Sequence, residues 1–184
     1  MYNLRRGFLQ FAVNAAIDTL ATNANLKRWG KRTNAKCGHC GNRETLCHTL
    51  NNCKEMLDRY LWLHNSVLSY IYECIKYPKD YETELHVDLP FTHQGGSTIP
   101  IDIIITQQRP DLVLIDRKNK KLTIMELSIP FETNIDSTHA IKLERYRQLI
   151  SDIEQNNYCV KYYPIEIGSR GLISKDNEAR LKSF

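Results

Sequence analysis

Two groups of residues have the side-chain types and spacings that chemistry requires. The first is Cys37-x2-Cys40-x7-His48-x4-Cys53. Thiolates and imidazoles are the ligands that a tetrahedral zinc ion takes, and a tight Cys-x2-Cys turn presents two of them side by side. Gly38 and Gly41 supply the backbone freedom that such a loop needs. Four protein ligands would leave no open position, so the expected Zn2+ is structural rather than catalytic. Two alternatives stay open: Cys47 adjoins His48 and could replace it, and His39 lies inside the first pair.

The second group is Pro110-Asp111, fourteen intervening residues, Glu126, and then Lys142. Two carboxylates able to share Mg2+, with an ammonium nearby, are what phosphodiester hydrolysis asks for: an activated water and neutralised phosphate charge. Both acids sit in apolar runs, Leu112-Val113-Leu114-Ile115 and Leu122 to Leu127. A carboxylate buried without a partner is costly, which argues against mere surface decoration. The expected roles are Mg2+ ligation by Asp111 and Glu126 and assistance to water or phosphate by Lys142. Arg145 lies one turn further along the same helix face. This layout is that of a metal-dependent nuclease of the PD-(D/E)XK type, with one departure. The usual lysine two residues after the glutamate is replaced here by Ser128.

The elements that must position these groups can be read from periodicity. Apolar residues at helical spacing predict a helix over 6–22, then a basic linker, Lys27-Arg28-Trp29-Gly30-Lys31-Arg32, whose cations could touch phosphate. A second helix is expected over about 54–76, stopped by Pro78. Strands are expected at Glu84–Leu89, Ile99–Thr106, Leu112–Asp116 and Leu122–Ser128, with a Gly95-Gly96 hairpin turn. A long helix over Thr133–Gln155, a buried strand over Cys159–Ile167 and a short helix over Lys175–Lys182 complete the chain. The fold class is α/β: a mixed sheet flanked by helices, preceded by a helical segment and zinc knuckle. The divisions are 1–36 for the helix and basic linker, 37–53 for the knuckle, and 54–184 for the linking helix and nuclease-like domain.

Charge is unevenly distributed. Residues 1–60 hold ten Lys/Arg against four Asp/Glu, a net of +6, whereas residues 61–130 hold seven against nine. A basic front end ahead of an acidic middle fits a phosphate-attracting arm beside a metal site. The start, Met1-Tyr2-Asn3-Leu4-Arg5-Arg6, does not read as a signal peptide, and no run is apolar enough for a membrane span. An intracellular protein is therefore expected, with four cysteines crowded into 37–53 for metal. Cys74 and Cys159 are isolated and read as core residues.

Combined, these motifs resemble the C-terminal region of restriction-like-endonuclease non-LTR retrotransposon proteins, over nearly the whole chain. The resemblance rests on Cys37–Cys53, Arg59-Tyr-Leu-Trp62-Leu-His64-Asn65, Arg109-Pro-Asp-Leu, Met125-Glu-Leu-Ser and Tyr163-Pro-Ile-Glu-Ile-Gly-Ser-Arg-Gly171. It implies a knuckle of Cys37, Cys40, His48 and Cys53, a metal site of Asp111 and Glu126, and the family lysine displaced to Lys142. It also implies DNA nicking that primes reverse transcription, and nuclear action if the DNA is chromosomal. Lys27, Arg28, Lys31, Arg32, Arg59, Trp62, His64 and Arg145 are the expected nucleic-acid contacts, with DNA the first partner and RNA the second. One family arginine is replaced in Trp62-Leu63-His64. Nothing resembles a polymerase, since no Tyr-x-Asp-Asp is present, so a polymerase domain is expected as a separate partner. A fragment, a stand-alone derivative and a decayed copy all fit. The expected activity is metal-dependent endonuclease; the alternatives are an inactive zinc-dependent nucleic-acid binder and a domesticated interaction domain.

Overall fold

Antiparallel pairing builds most of the core. The computed structural model describes residues 6–80, 82–92 and 96–183. Strands β1 (Thr83–Val87), β2 (Leu112–Asp116) and β3 (Lys121–Ser128) form an antiparallel meander. Helix α4 (Ile135–Gln155) then carries the chain over to β4 (Cys159–Glu166), which pairs parallel to β3. The sheet order β1-β2-β3-β4 is therefore mixed, as expected. A helical crossover is the ordinary way to join parallel neighbours.

The β2–β3 turn is set locally. Asp116 accepts the Asn119 N–H at 2.9 Å and its side-chain amide at 2.7 Å, and Lys120 takes a positive φ of 48°. That turn locks the register Leu112↔Met125, so the next position outward sets Asp111 against Glu126.

Side chains alternate across the sheet and bury both faces. Val113, Ile115, Leu122 and Ile124 pack under Tyr146, Leu149 and Ile153 of α4. Leu112, Met125 and Leu127 pack on the other side with Leu68 of α3 (Leu57–Cys74), while Leu181 of α5 (Lys175–Ser183) joins the rim of that cluster. Each fully buried Leu or Ile contributes roughly 1.5–3 kcal/mol, which makes these two layers the main source of stability.

Several expectations are corrected. Ile99–Thr106 is not a strand. Pro100 has no N–H for a ladder, and its carbonyl accepts the Ile103 and Ile104 N–H groups at 3.0 and 3.3 Å. The segment turns, burying Ile99 and Ile103 and exposing Ile101 and Ile105, so burial recurs every fourth residue and the period-two isoleucines mark no sheet face. Gly95 of the expected hairpin lies outside the described residues. The first helix does not run to residue 22. Helix α1 (Arg6–Ala16) ends before Asp18, whose φ is 52°, and α2 (Asn23–Arg28) starts behind a Thr22 cap. Lys27 and Arg28 are thus helical rather than linker. Cys74 and Cys159 are exposed, not core, because each falls at the end of an element.

The N-terminal part is tied to the sheet domain by Arg170. Its guanidinium donates to the carbonyls of Ala15 and Ala16 at 3.0 and 2.9 Å and to Glu132 at 2.6 Å. Gly168 makes room for that clasp: a Cβ there would lie 2.5 Å from Glu132 Oε1. Gly168→Ala is expected to cost about 1–3 kcal/mol by displacing a carboxylate that Arg170 already holds, read as a lower melting temperature. An unchanged melting curve would show that the clasp yields freely. Even so, Leu9, Phe11 and Val13 of α1, and Ile17 just beyond it, remain exposed. No described helix is long and apolar enough to cross a membrane.

Candidate functional site

The cysteine-rich loop closes on itself. Lys36 and Arg43 pair as an antiparallel bridge around the Cys37–Cys40 turn. The Cys37 N–H donates to Asn42 at 2.6 Å, and Gly41, at a φ of 75°, donates to Cys37 at 3.0 Å. His48 and Cys53 return on a five-residue π-helical turn. Such a wide turn leaves backbone groups to satisfy, and Tyr60 of α3 does so. Its hydroxyl accepts the Cys53 N–H at 2.9 Å and faces the His48 and Thr49 carbonyls at 3.2 and 3.1 Å. Asn51 fastens the turn to the sheet domain by donating to the Ile129 carbonyl at 2.7 Å.

The ligand atoms of Cys37, Cys40, His48 and Cys53 all lie within 4.8 Å of one another. Cys37 and Cys53 Sγ lie 4.0 Å apart, and Cys40 Sγ lies 3.3 Å from His48 Nε2. A tetrahedron of ~2.3 Å Zn–S bonds has edges of about 3.8 Å, so these residues can hold a metal ion such as zinc. Backbone N–H groups of Cys40, then His39, hold the Cys37 thiol down to about 6, the direction a ligand thiolate requires, whereas burial pushes Cys53 up. The alternative ligand Cys47 is excluded from the cluster, because its sulfur accepts from Asn52 at 3.3 Å instead. His39 is not among the four either.

The acidic residues also converge. Glu126 Oε2 accepts the Asp111 N–H at 3.2 Å and the Tyr146 hydroxyl at 2.8 Å, while Oε1 takes the Lys142 ammonium. Lys142 and Tyr146 stand one turn apart on α4, so both reach the same carboxylate. Asp111 Oδ2 accepts the Leu127 N–H at 2.7 Å and meets His64 Nε2 at 3.3 Å. Burial, then the charge of Asp111, raises the Glu126 carboxyl, and Lys142 opposes them. Ser128, in the position where lysine was expected, has a buried hydroxyl without a partner.

Burial disfavours a charged His64, but the hydrogen bond and charge of Asp111 outweigh it and raise the imidazole to about 9. Histidine NMR without added Mg2+ is expected to find that midpoint. Asp111→Asn should return it toward the ordinary value near ~6.5, and an unshifted midpoint would dissolve the pair. Because the folded value is raised, its stabilisation is complete below the ordinary histidine range and lost as pH climbs through about 9.

Asp111, though not Glu126, borders a cleft of about 400 Å³ together with His64, Asn65, Asp88, Pro90 and Arg109. A neighbouring apolar groove of about 520 Å³ includes Trp62, Leu89 and Phe91. Arg59 and Arg145 are exposed, and Arg145 follows Lys142 by one turn of α4. Lys27 and Arg28 line a separate groove, joined there by Lys36 and Arg43 but not by Lys31 or Arg32.

Sequence reasoning missed Tyr60, Tyr146, Lys36, Arg43 and the buried His139–Glu166 contact at 3.0 Å. Only Tyr146 carried a sequence signal, standing four residues beyond Lys142 on a helix. No family model matches this chain, and no curated protein matches it.

Proposed function

We propose that this chain is a Mg2+-dependent DNA endonuclease of the PD-(D/E)XK type, with the Cys3His loop as a structural zinc knuckle. One observation carries the reading: Asp111, Glu126 and Lys142, far apart in sequence, meet at one end of β2 and β3. The helix, three antiparallel strands, helix and parallel strand follow the order expected of that fold. The resemblance to the C-terminal region of retrotransposon proteins belongs to the same reading, and the exposed apolar face of α1 fits a surface that packs on a further domain.

Asp111 and Glu126 supply hard carboxylate oxygens of the kind Mg2+ takes, and Glu126 sits where burial and a second carboxylate disfavour its charge. A cation there would relieve that strain; bound Mg2+ supplies a polarised phosphate and a more acidic water. The chain's own residues do the rest. Tyr146, its hydroxyl raised by burial and then by Glu126, stays protonated and donates, fixing the carboxylate's orientation. Lys142, held on Glu126, brings positive charge to the acidic pair, where it would meet the charge that grows on a phosphate in the transition state. The partner is DNA, with RNA the second candidate, and chromosomal DNA would place the protein in the nucleus.

A second reading is favoured by one detail. Both oxygens of Glu126 are engaged by protein donors, which suits an inert site in a nucleic-acid binder. Relaxation of supercoiled plasmid separates the two. The nuclease nicks with Mg2+ and not in EDTA, whereas the binder leaves plasmid uncut under both conditions.

A further inference from the structure

We propose that the groove between α2 and the cysteine-rich loop binds the phosphodiester backbone of nucleic acid, and that it forms only when the four-ligand cluster holds its metal. The proposal rests on the nucleic-acid reading above, but not on catalysis.

Two walls make the groove, of about 650 Å³. Lys27 and Arg28 of α2 form one; Lys36 and Arg43, the bridged arms of the loop, form the other. No carboxylate lines it. Several cations elsewhere are paired, Arg109 with Asp88, Arg117 with Glu84 and Asp102, Lys142 with Glu126 and Arg170 with Glu132, and others stand singly on the surface, but no other groove gathers four of them on facing walls among those described. The four groove cations have no ion-pair partner among the described residues, and all four are exposed. Lys36 and Arg43 are cross-strand partners, and like charges directly opposite are unfavourable. Glu44, next to Arg43 in sequence, forms no ion pair with either among the described residues. Glu44 is committed to the Asn23 backbone and side-chain N–H groups, both at 3.0 Å.

An anion must therefore come from outside. Its size suggests a chain rather than one ion, because the space exceeds a single phosphate several-fold and cations stand on both walls. A phosphodiester backbone has that repeat and releases counterions on binding.

The link to the metal is structural. Asn23 donates to the Lys36 carbonyl at 2.7 Å, and the Ala24 N–H donates to the Glu44 carbonyl at 3.0 Å. The wall that α2 provides thus hangs on the backbone flanking the Cys37–Cys40 turn. Without metal, a few short-range backbone bonds are all that close that turn around four clustered ligands, too little to keep it folded, and the cations separate.

Fluorescence anisotropy with labelled single-stranded and duplex oligonucleotides tests this on the full chain, with salt varied. Lys27→Glu/Arg43→Glu is expected to weaken binding at least about tenfold and to flatten the salt slope by about two. Lys79→Glu/Lys175→Glu changes net charge equally at two exposed lysines that touch no groove wall; it should weaken binding less than about threefold. Zinc chelation should reproduce the groove variant's loss. Equal losses in both double variants, or none in the first, would overturn the groove. Undiminished binding after chelation would overturn the metal link. Circular dichroism confirms that both variants fold. Plasmid nicking is scored beside binding. Nicking that survives the groove variants at wild-type strength removes the groove alone. Groove-dependent binding with no Mg2+-dependent nicking removes the nuclease reading alone.

Discussion

Asp111→Asn is expected to lower Mg2+-dependent nicking at least about a thousandfold, or ~4 kcal/mol of barrier, while leaving the protein folded. The amide keeps an oxygen for the Leu127 N–H, which Asp111 Oδ2 accepts at 2.7 Å, so the buried backbone group stays satisfied. What disappears is charge: a cation at this site loses one of its two carboxylates. Glu126, raised by burial and by Asp111, should drop when that second charge goes. Lys142→Met is the informative contrast. It leaves Glu126 buried without its ammonium, and breaking a buried pair costs about 3–5 kcal/mol of stability. Loss of nicking in that variant would therefore mix folding with catalysis; Asp111→Asn also gives up its pair with His64 but keeps the Leu127 bond, so nicking is compared at a temperature where its melting curve shows it folded. Wild-type nicking by Asp111→Asn, at an unchanged melting temperature, would show that the converging acids are not the catalytic site.

Withdrawing the metal from the Cys3His cluster, or replacing Cys53 by Ser, is expected to unfold the loop and α2 while the sheet domain survives. Structural zinc contributes on the order of 10 kcal/mol to small domains at neutral pH, more than this loop can recover from burial alone. Its buried residues are chiefly the ligands themselves with Leu46. The two hydrophobic clusters around the sheet include none of them. Differential scanning calorimetry should then show one transition for the loaded protein and two separable events, or one of smaller enthalpy, for the stripped one. Amide NMR signals of 23–53 should collapse while those of β2, β3 and α4 hold their positions. A stripped protein with an unchanged spectrum would mean that the loop folds without metal.

How much of this was legible in advance differs by element. Strand β2 was read to the residue, and β3, α4, β4 and α5 to within one or two at each end, because each carries a continuous apolar run or a sustained helical period. Ile99–Thr106 misled for a physical reason. Its isoleucines alternate in sequence, but only Ile99 and Ile103, four residues apart, are buried, because the chain turns at Pro100 instead of running extended. The four metal ligands were visible because zinc chemistry demands particular residue types at close spacing. The choice between Cys47 and His48 was not, since both suit the metal and only the π-helical turn decides which one faces inward.

From residue order alone came the donor chemistry: soft ligands within one short loop, and two acids whose apolar flanks argued for burial. Such information is local, carried by composition and spacing along a few turns of chain. Tertiary structure decided which distant groups meet. Lys142 on Glu126, His64 on Asp111 and the four cations of the α2 groove follow from register, helix phase and the docking of α2 on Glu44. Those contacts depend on how separate elements pack against one another, and packing is a property of the whole core rather than of any segment.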